Sequence, residues 1–161
     1  MGEICAVLNL PLQIKESLLW IYRLHLPSIC LGSNVQKLLA QLSLKCDLTI
    51  LTDGRSITQR NKLKALGLEH IRAYISEEYG AAKPSHDGFK MIMHDFPSDR
   101  YFYVGDNPLK DFIAPNNLGW TSICLRDDGR NVHSQDVSGL DPIQLPKIWI
   151  NSLDELNTFI C

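Results

Sequence analysis

The sequence predicts an α/β domain built on a parallel sheet, and three observations carry that expectation. Short apolar runs rich in β-formers alternate with helical segments of about ten residues, the pattern of successive βαβ units. The clearest run, Leu48-Thr49-Ile50-Leu51-Thr52, is apolar on both of its alternating faces, as a strand covered by helices on each side must be. The chain has 161 residues, 45% hydrophobic and 21% charged, which is ordinary globular composition. A chain of that size can bury roughly 70% of the surface it exposes when unfolded.

The elements follow in order. Residues 13 to 26 have helical spacing, with Leu18, Leu19, Ile21, Tyr22 and Leu26 forming an apolar face and Pro27 ending it. A second helix starts near Ser33, where Ser33 and Gln36 have the spacing of a capping box. The strand 48 to 52 is followed by helix 56 to 66, closed by Gly67. Residues 71 to 76 read as a second strand, and helix 86 to 94 follows Lys83-Pro84. Residues 101 to 104 form a third strand ending at Gly105-Asp106, with Pro108 suited to the first turn of the next helix. Residues 120 to 125 and 147 to 150 supply two more strands. The last helix opens at Ser152, with Glu155 completing a second capping box. Residues 127 to 146 are polar, contain Pro142 and Pro146, and read as a surface excursion.

Charge and cysteine usage exclude several classes. The formal net charge of −2 and a pI near 6.2 give no electrostatic footprint for nucleic acid or an anionic membrane. No apolar run approaches the roughly 18 residues of a membrane span, and the first residues lack the basic start of a secretory signal. The five cysteines are odd in number, scattered, and never spaced C-x-x-C, so neither a disulfide framework nor a structural zinc site is expected. A reducing cytoplasm is the compartment this usage predicts.

Ligands of open parallel sheets bind beyond the carboxyl ends of the strands. After the first strand come Thr52, Asp53 and Gly54; after the second comes a loop with Lys83-Pro84; after the third come Asp106 and Asn107, then Lys110 and Asp111. A hydroxyl at Thr52 and the backbone N–H groups of Asp53 and Gly54 can donate to phosphate oxygens. The Lys83 ammonium can neutralise phosphoryl charge, and Pro84 biases it toward an extended loop. Asp106 and Asp111 offer the hard oxygens that magnesium takes one or two at a time, leaving its other positions to water and substrate phosphate. Phosphoryl transfer is mostly positioning and charge neutralisation, so the inventory fits it. Taken singly, Thr52 reads as a β-branched strand residue, Lys83 as a solvated charge, Asp106 as an N-cap and Asp111 as a surface helix residue. Their occurrence in order, each at a strand end, is what gives the set meaning.

Several segments then resemble the haloacid dehalogenase superfamily, in particular its phosphatases with a helical cap. "LTILTDG" resembles that family's second motif, with Thr52 as the phosphate-orienting residue. "YGAAKPSHDGF" resembles the third, with the lysine at Lys83, and "YFYVGDNPLKDF" the fourth, with its acidic pair at Asp106 and Asp111. "TDGRSITQRNKLKALGL" and "ISEEYGAAKP" are similar to their contexts in the family. The resemblance covers roughly residues 20 to 160. It implies a Rossmann-like three-layer α/β/α core at 31–161, with 1–30 a remnant of the helical cap and its return. It also implies a Mg2+ cofactor, catalytic roles for Thr52 and Lys83, and a small phosphorylated metabolite as substrate. Which metabolite is set by cap and loop side chains and is not legible. Tyr22, Arg23 and His25 are candidate contacts from the cap side, or helix-end packing.

The departure is as informative as the match. The family's first motif, D-x-D after an N-terminal strand, supplies the aspartate nucleophile and the general acid and base. No D-x-D occurs in these residues. "ICAVLNL" (4 to 10) reads as a cap helix, or as a degenerate first strand with Asn9 and Pro11 at positions where neither can do the chemistry. The family's first strand lies centrally, between the strands ending at Thr52 and Val104. Leaving both neighbours unpaired would cost about 1–3 kcal/mol per buried group against a net stability of roughly 5–15 kcal/mol. The slot is therefore expected to be filled, by residues 4 to 10, by a homodimeric or complementing chain, or by a rearranged sheet. Two functions follow: a magnesium-dependent phosphomonoesterase lineage, truncated and inactive alone, or a pseudophosphatase that binds a phospholigand or a protein.

Overall fold

The computed structural model describes Val7, Pro11 and residues 14–160. Of the segment 4 to 10, the described residue is Val7, which is helical and 80% exposed; the rest of that segment lies outside the described residues. The described elements run α1 (Lys15–Leu24), α2 (Ser33–Leu42), β1 (Thr49–Thr52), α3 (Ser56–Ala65), β2 (Arg72–Ile75), α4 (Ser76–Tyr79), α5 (Asp87–Asp95), β3 (Phe102–Gly105), α6 (Ile113–Asn117), β4 (Thr121–Leu125) and β5 (Ile148–Ile150). Short 3₁₀ helices cover Pro142–Gln144 and Leu153–Thr158. The α/β architecture with parallel pairing is as expected. No helix among the described residues is long and apolar enough to cross a membrane.

Strand alternation builds three layers. On one face Tyr74, Phe89, Ile92, Tyr103, Phe112 and Trp120 pack together; on the other Leu38, Leu42, Ile123, Ile150 and Leu156 do so. Neighbours along β3 and β4 go to opposite faces, Tyr103 and Cys124 to the first, Val104 and Ile123 to the second. Phe89, fully buried, meets Tyr103 and Trp120 edge-on at centroid distances of 5.0 and 5.2 Å, the preferred geometry for aromatic pairs.

The sheet is split. β1 pairs with β2, and β3 with β4 and β4 with β5, all parallel, but no strand among the described residues joins β1 to β3. The expected occupants of the slot, residues 4 to 10 or another chain, lie outside the described residues apart from Val7. A cavity of about 520 Å³ lies at the amino ends of β1 and β3, lined there by Leu48, Thr49, Tyr101 and Phe102, and all four residues of β1 are half-buried.

Several local details differ from the sequence reading. Gly32, not Ser33, sits at the N-cap of α2, so no Ser33–Gln36 box forms; Gln36 Nε2 donates instead to the Leu31 carbonyl at 3.2 Å. No helix begins at Pro108. Asn107 Oδ1 accepts from the Leu109 N–H at 3.1 Å and the chain turns irregularly until α6. The Ser152–Glu155 box does form, with Ser152 Oγ accepting from Asp154 N–H and Glu155 Oε1 from Ser152 N–H, although what it caps is a 3₁₀ helix. Tyr22 and His25 lie ring to ring at 5.7 Å and the Arg23 guanidinium lies over Trp20, contacts of helix-end packing.

α3 is capped from a distance. Glu77 accepts from the Ser56 backbone N–H at 2.7 Å and pairs with Arg55, while Glu78 accepts from the Ser56 hydroxyl and from Arg60. The Arg55 hydrogen bond, then the Ser56 amide, holds the Glu77 carboxyl below its usual value of 4.5; the Ser56 hydroxyl, then Arg60, does the same for Glu78. A lowered folded-state value means the contribution is complete above the unfolded value and is lost as pH falls through the folded one. The melting temperature should therefore fall as the solution is acidified below about pH 4.5, and Glu77→Gln should show a shallower fall over that window. The effect is expected to be small, because the pair is solvent-exposed.

Candidate functional site

The carboxyl ends of β1 and β3 meet through charged side chains. Lys83, in the turn that enters α5 through a cis Lys83–Pro84 bond, places its ammonium 2.8 Å from Asp111 Oδ1 and donates to the Tyr103 hydroxyl at 2.9 Å. Both charges are buried, with side-chain exposures of 11% for Lys83 and 3% for Asp111. Asp111 Oδ2 accepts from the Asn107 N–H at 3.1 Å and more weakly from Asp106 N–H at 3.3 Å. Oδ1 has the ammonium for a neighbour but no directed hydrogen bond, so one oxygen of this buried carboxylate retains coordinating capacity. Gly105 permits the approach: a Cβ there would stand 2.8 Å from Asp111 Oδ2.

Asp53 spans toward the other half. Its Oδ1 accepts from the Lys83 backbone N–H at 3.1 Å, and its Oδ2 pairs with the Lys110 ammonium at 3.1 Å. Thr52 ends β1 immediately beside it, and among the described residues its hydroxyl has no hydrogen-bond partner. Asp106 is exposed, with its carboxylate unpaired among the described residues and its carbonyl held by Asn131 Nδ2 and Gln135 Nε2 at 3.2 and 3.0 Å. Gly54, at φ +126°, does not offer a free amide as expected: its N–H donates to Ser76 Oγ at 2.9 Å.

The structure thus draws Asp53, Lys83 and Asp111 into one network at the sheet's edge, with Thr52 and Asp106 adjoining them in the chain. Sequence reasoning missed Tyr103, Ser76 and Gln135, and placed Lys110 after the third strand without giving it a role. Tyr103 had a signal, since alternation along β3 puts it on the same face as Gly105. Burial, followed by the charges of Asp111, Asp53 and Asp106, pushes its phenol well above the usual value, so it stays protonated. Lys110, Ser76 and Gln135 act only through tertiary proximity, which no local pattern encodes.

Three carboxylates (Asp53, Asp106, Asp111) face two ammoniums (Lys83, Lys110), a polar balance suited to a cation and an anion bound together. No group of three or more His, Cys, Asp or Glu among the described residues forms a self-sufficient metal cage. The available oxygens of Asp106 and Asp111 fit magnesium, which takes few protein ligands, and do not fit a metal that demands a full protein shell.

Residues 14–125 match the family model described as haloacid dehalogenase-like hydrolase, and the chain belongs to that family. Among solved structures it is similar to YfnB of Bacillus subtilis, a haloacid dehalogenase-type protein crystallised with magnesium, at 24% identity and a TM-score of 0.65, over 80% of this chain and 55% of that one. It is also similar to a haloacid dehalogenase-like family hydrolase of Xanthomonas campestris, at 18% identity and a TM-score of 0.51, over 70% and 48% of the two chains. The chain therefore spans about half the length of these solved relatives, and at such identities the likeness establishes the fold. None of the curated proteins matches it.

Proposed function

We propose that this chain carries the phosphate- and magnesium-binding half of a phosphomonoesterase site for a small phosphorylated metabolite. The observation that carries the reading is the network at the strand ends, where a buried lysine and a buried aspartate lie 2.8 Å apart, the lysine's backbone N–H donating to Asp53, the chain neighbour of Thr52, and the aspartate accepting from the Asp106 N–H. In it, Thr52 and Lys83 hold the phosphoryl oxygens, and Asp106 and Asp111 hold Mg2+. Bound magnesium would neutralise phosphate charge. Lys83 already balances Asp111, and Tyr103 fixes the lysine's position. The magnesium bound to the Bacillus subtilis relative supports the metal assignment.

The 161 residues contain no D-x-D, so no aspartate stands ready to form a phosphoenzyme. By itself the chain should bind without turning over, which equally suits a phospholigand-binding module. Millimolar magnesium with inorganic phosphate should raise the melting temperature by a few degrees, since a ligand that binds only the folded state must stabilise it. An unmoved melting temperature overturns the reading. Hydrolysis of p-nitrophenyl phosphate should stay at background, and a rate that survives Asp106→Ala would place the chemistry elsewhere.

A further inference from the structure

The two aspartates of the acidic pair are held in opposite ways. Asp111 is fixed through its side chain, by the Lys83 ammonium and by the N–H groups of Asn107 and Asp106. The Asp106 carboxylate is exposed and has no hydrogen bond or ion pair among the described residues. What restrains Asp106 is its main chain. Its N–H donates to Asp111 Oδ2, and its carbonyl accepts from Gln135 Nε2 at 3.0 Å and from Asn131 Nδ2 at 3.2 Å.

Both donors belong to the polar excursion after β4, and local chemistry turns that excursion back toward the site. Asp127 Oδ1 accepts from the N–H groups of Gly129, Arg130 and Asn131 at 2.9, 2.9 and 2.8 Å, a turn closed by a short polar side chain on its own backbone. Gly129 supplies the left-handed φ of +91° within it. Asn131 leaves the turn and Gln135 follows, both half-buried. Gln135 uses its whole amide. Nε2 donates to the Leu125 carbonyl at 2.8 Å as well as to Asp106, and Oε1 accepts from the Asp127 N–H at 2.9 Å. One side chain thus ties the end of β4 to the residue that follows β3. Water alone could satisfy the carbonyl of an exposed residue; two side chains converging on it immobilise the peptide instead. A carboxylate projecting from a fixed peptide has only its own torsions left to order when it takes a cation, which is how a supporting shell strengthens binding.

We propose that Gln135, assisted by Asn131, is a positioning residue for magnesium: it fixes the peptide from which the Asp106 carboxylate projects and acts on the metal only through it. The inference rests on the assignment of Asp106 as a magnesium ligand.

The test uses the full chain with inorganic phosphate and Mn2+ as the probe. Mn2+ takes the same hard oxygens as magnesium, and the electron paramagnetic resonance signal of the free ion reports binding without turnover. Gln135→Met keeps the length of the side chain and removes its hydrogen bonds. It should weaken Mn2+ binding by about ten-fold, as loss of a metal ligand's supporting partner does. Asn131→Ala leaves the Leu125 and Asp127 bonds in place. It should weaken binding by less, because the shorter bond to Asp106 remains. Asn116→Ala is the structural comparison. It releases the far end of the same excursion, where Asn116 Nδ2 donates to the carbonyls of Ile143 and Leu145 at 2.8 Å, and should lower the melting temperature with Mn2+ affinity unchanged. Parent-like affinity in Gln135→Met, or in Asn131→Ala if the first does not fold, overturns the proposal and leaves the metal assignment standing. So does an equal loss in Gln135→Met and Asn116→Ala, which would make the effect a general loosening of the excursion. A parent chain that binds no Mn2+, or whose affinity is unmoved by Asp106→Asn, overturns the metal assignment and the proposal with it.

Discussion

Asp111→Ala should cost about 3–5 kcal/mol of folding stability and abolish the melting-temperature response to magnesium and phosphate. The stability loss has two sources. Lys83 would be left at 11% side-chain exposure without its carboxylate partner, and the Asn107 N–H would lose its acceptor. A buried charge stripped of its partner is far more costly than a pair removed together. The double variant Lys83→Met/Asp111→Asn restores an acceptor for the backbone amide and removes both charges. It should recover most of the stability while remaining unresponsive to ligand. Denaturant titration with and without magnesium and phosphate measures both quantities. If the single variant unfolds at the same denaturant concentration as the parent, the pair is not buried as described. If the double variant still responds to ligand, Lys83 and Asp111 are not its binding groups.

Phe89→Ala should be comparably damaging for a different reason. The ring has no solvent exposure and packs edge-on against both Tyr103 and Trp120. Truncation of such a side chain removes its transfer energy and leaves a cavity, typically costing about 3–5 kcal/mol. Because Tyr103 supports the Lys83 ammonium, the vacancy should also loosen the site. Phe89→Leu, which fills much of the volume, should lose clearly less. Equilibrium unfolding of the two variants distinguishes them, and equal losses would mean that volume is not what the ring contributes.

Much of the fold is legible in the sequence because strand and helix periods are strong where apolar faces are long. β1, α3, β4 and β5 lie within a residue or two of where periodicity and Gly67 put them. The failures are local and have separate causes. α4 has four residues, too few for any period to show. The helix expected at Pro108 gives way because Asn107 and Asp111 spend their side chains on nearby backbone amides, holding residues 106–111 in an irregular turn. At the candidate site the ordered types Thr52, Lys83, Asp106 and Asp111 stand out as residues following strands. Which charge pairs with which does not. Lys110 reaches Asp53 from 57 positions away, and Gln135 reaches the Asp106 carbonyl from 29, distances over which no pattern in the chain operates.

The split sheet also bears on how the molecule comes apart. Residues 49–75 close β1 onto β2, and residues 102–150 close β3 through β5, each by pairing strands that are neighbours in the sequence. Among the described residues no ladder joins the halves, and what couples them there is side-chain packing from α2, α5 and the final 3₁₀ helix together with the charged network at the rim. Cooperativity between the halves is then weaker than within them, and one half can open while its sibling persists, as semi-autonomous unfolding units do.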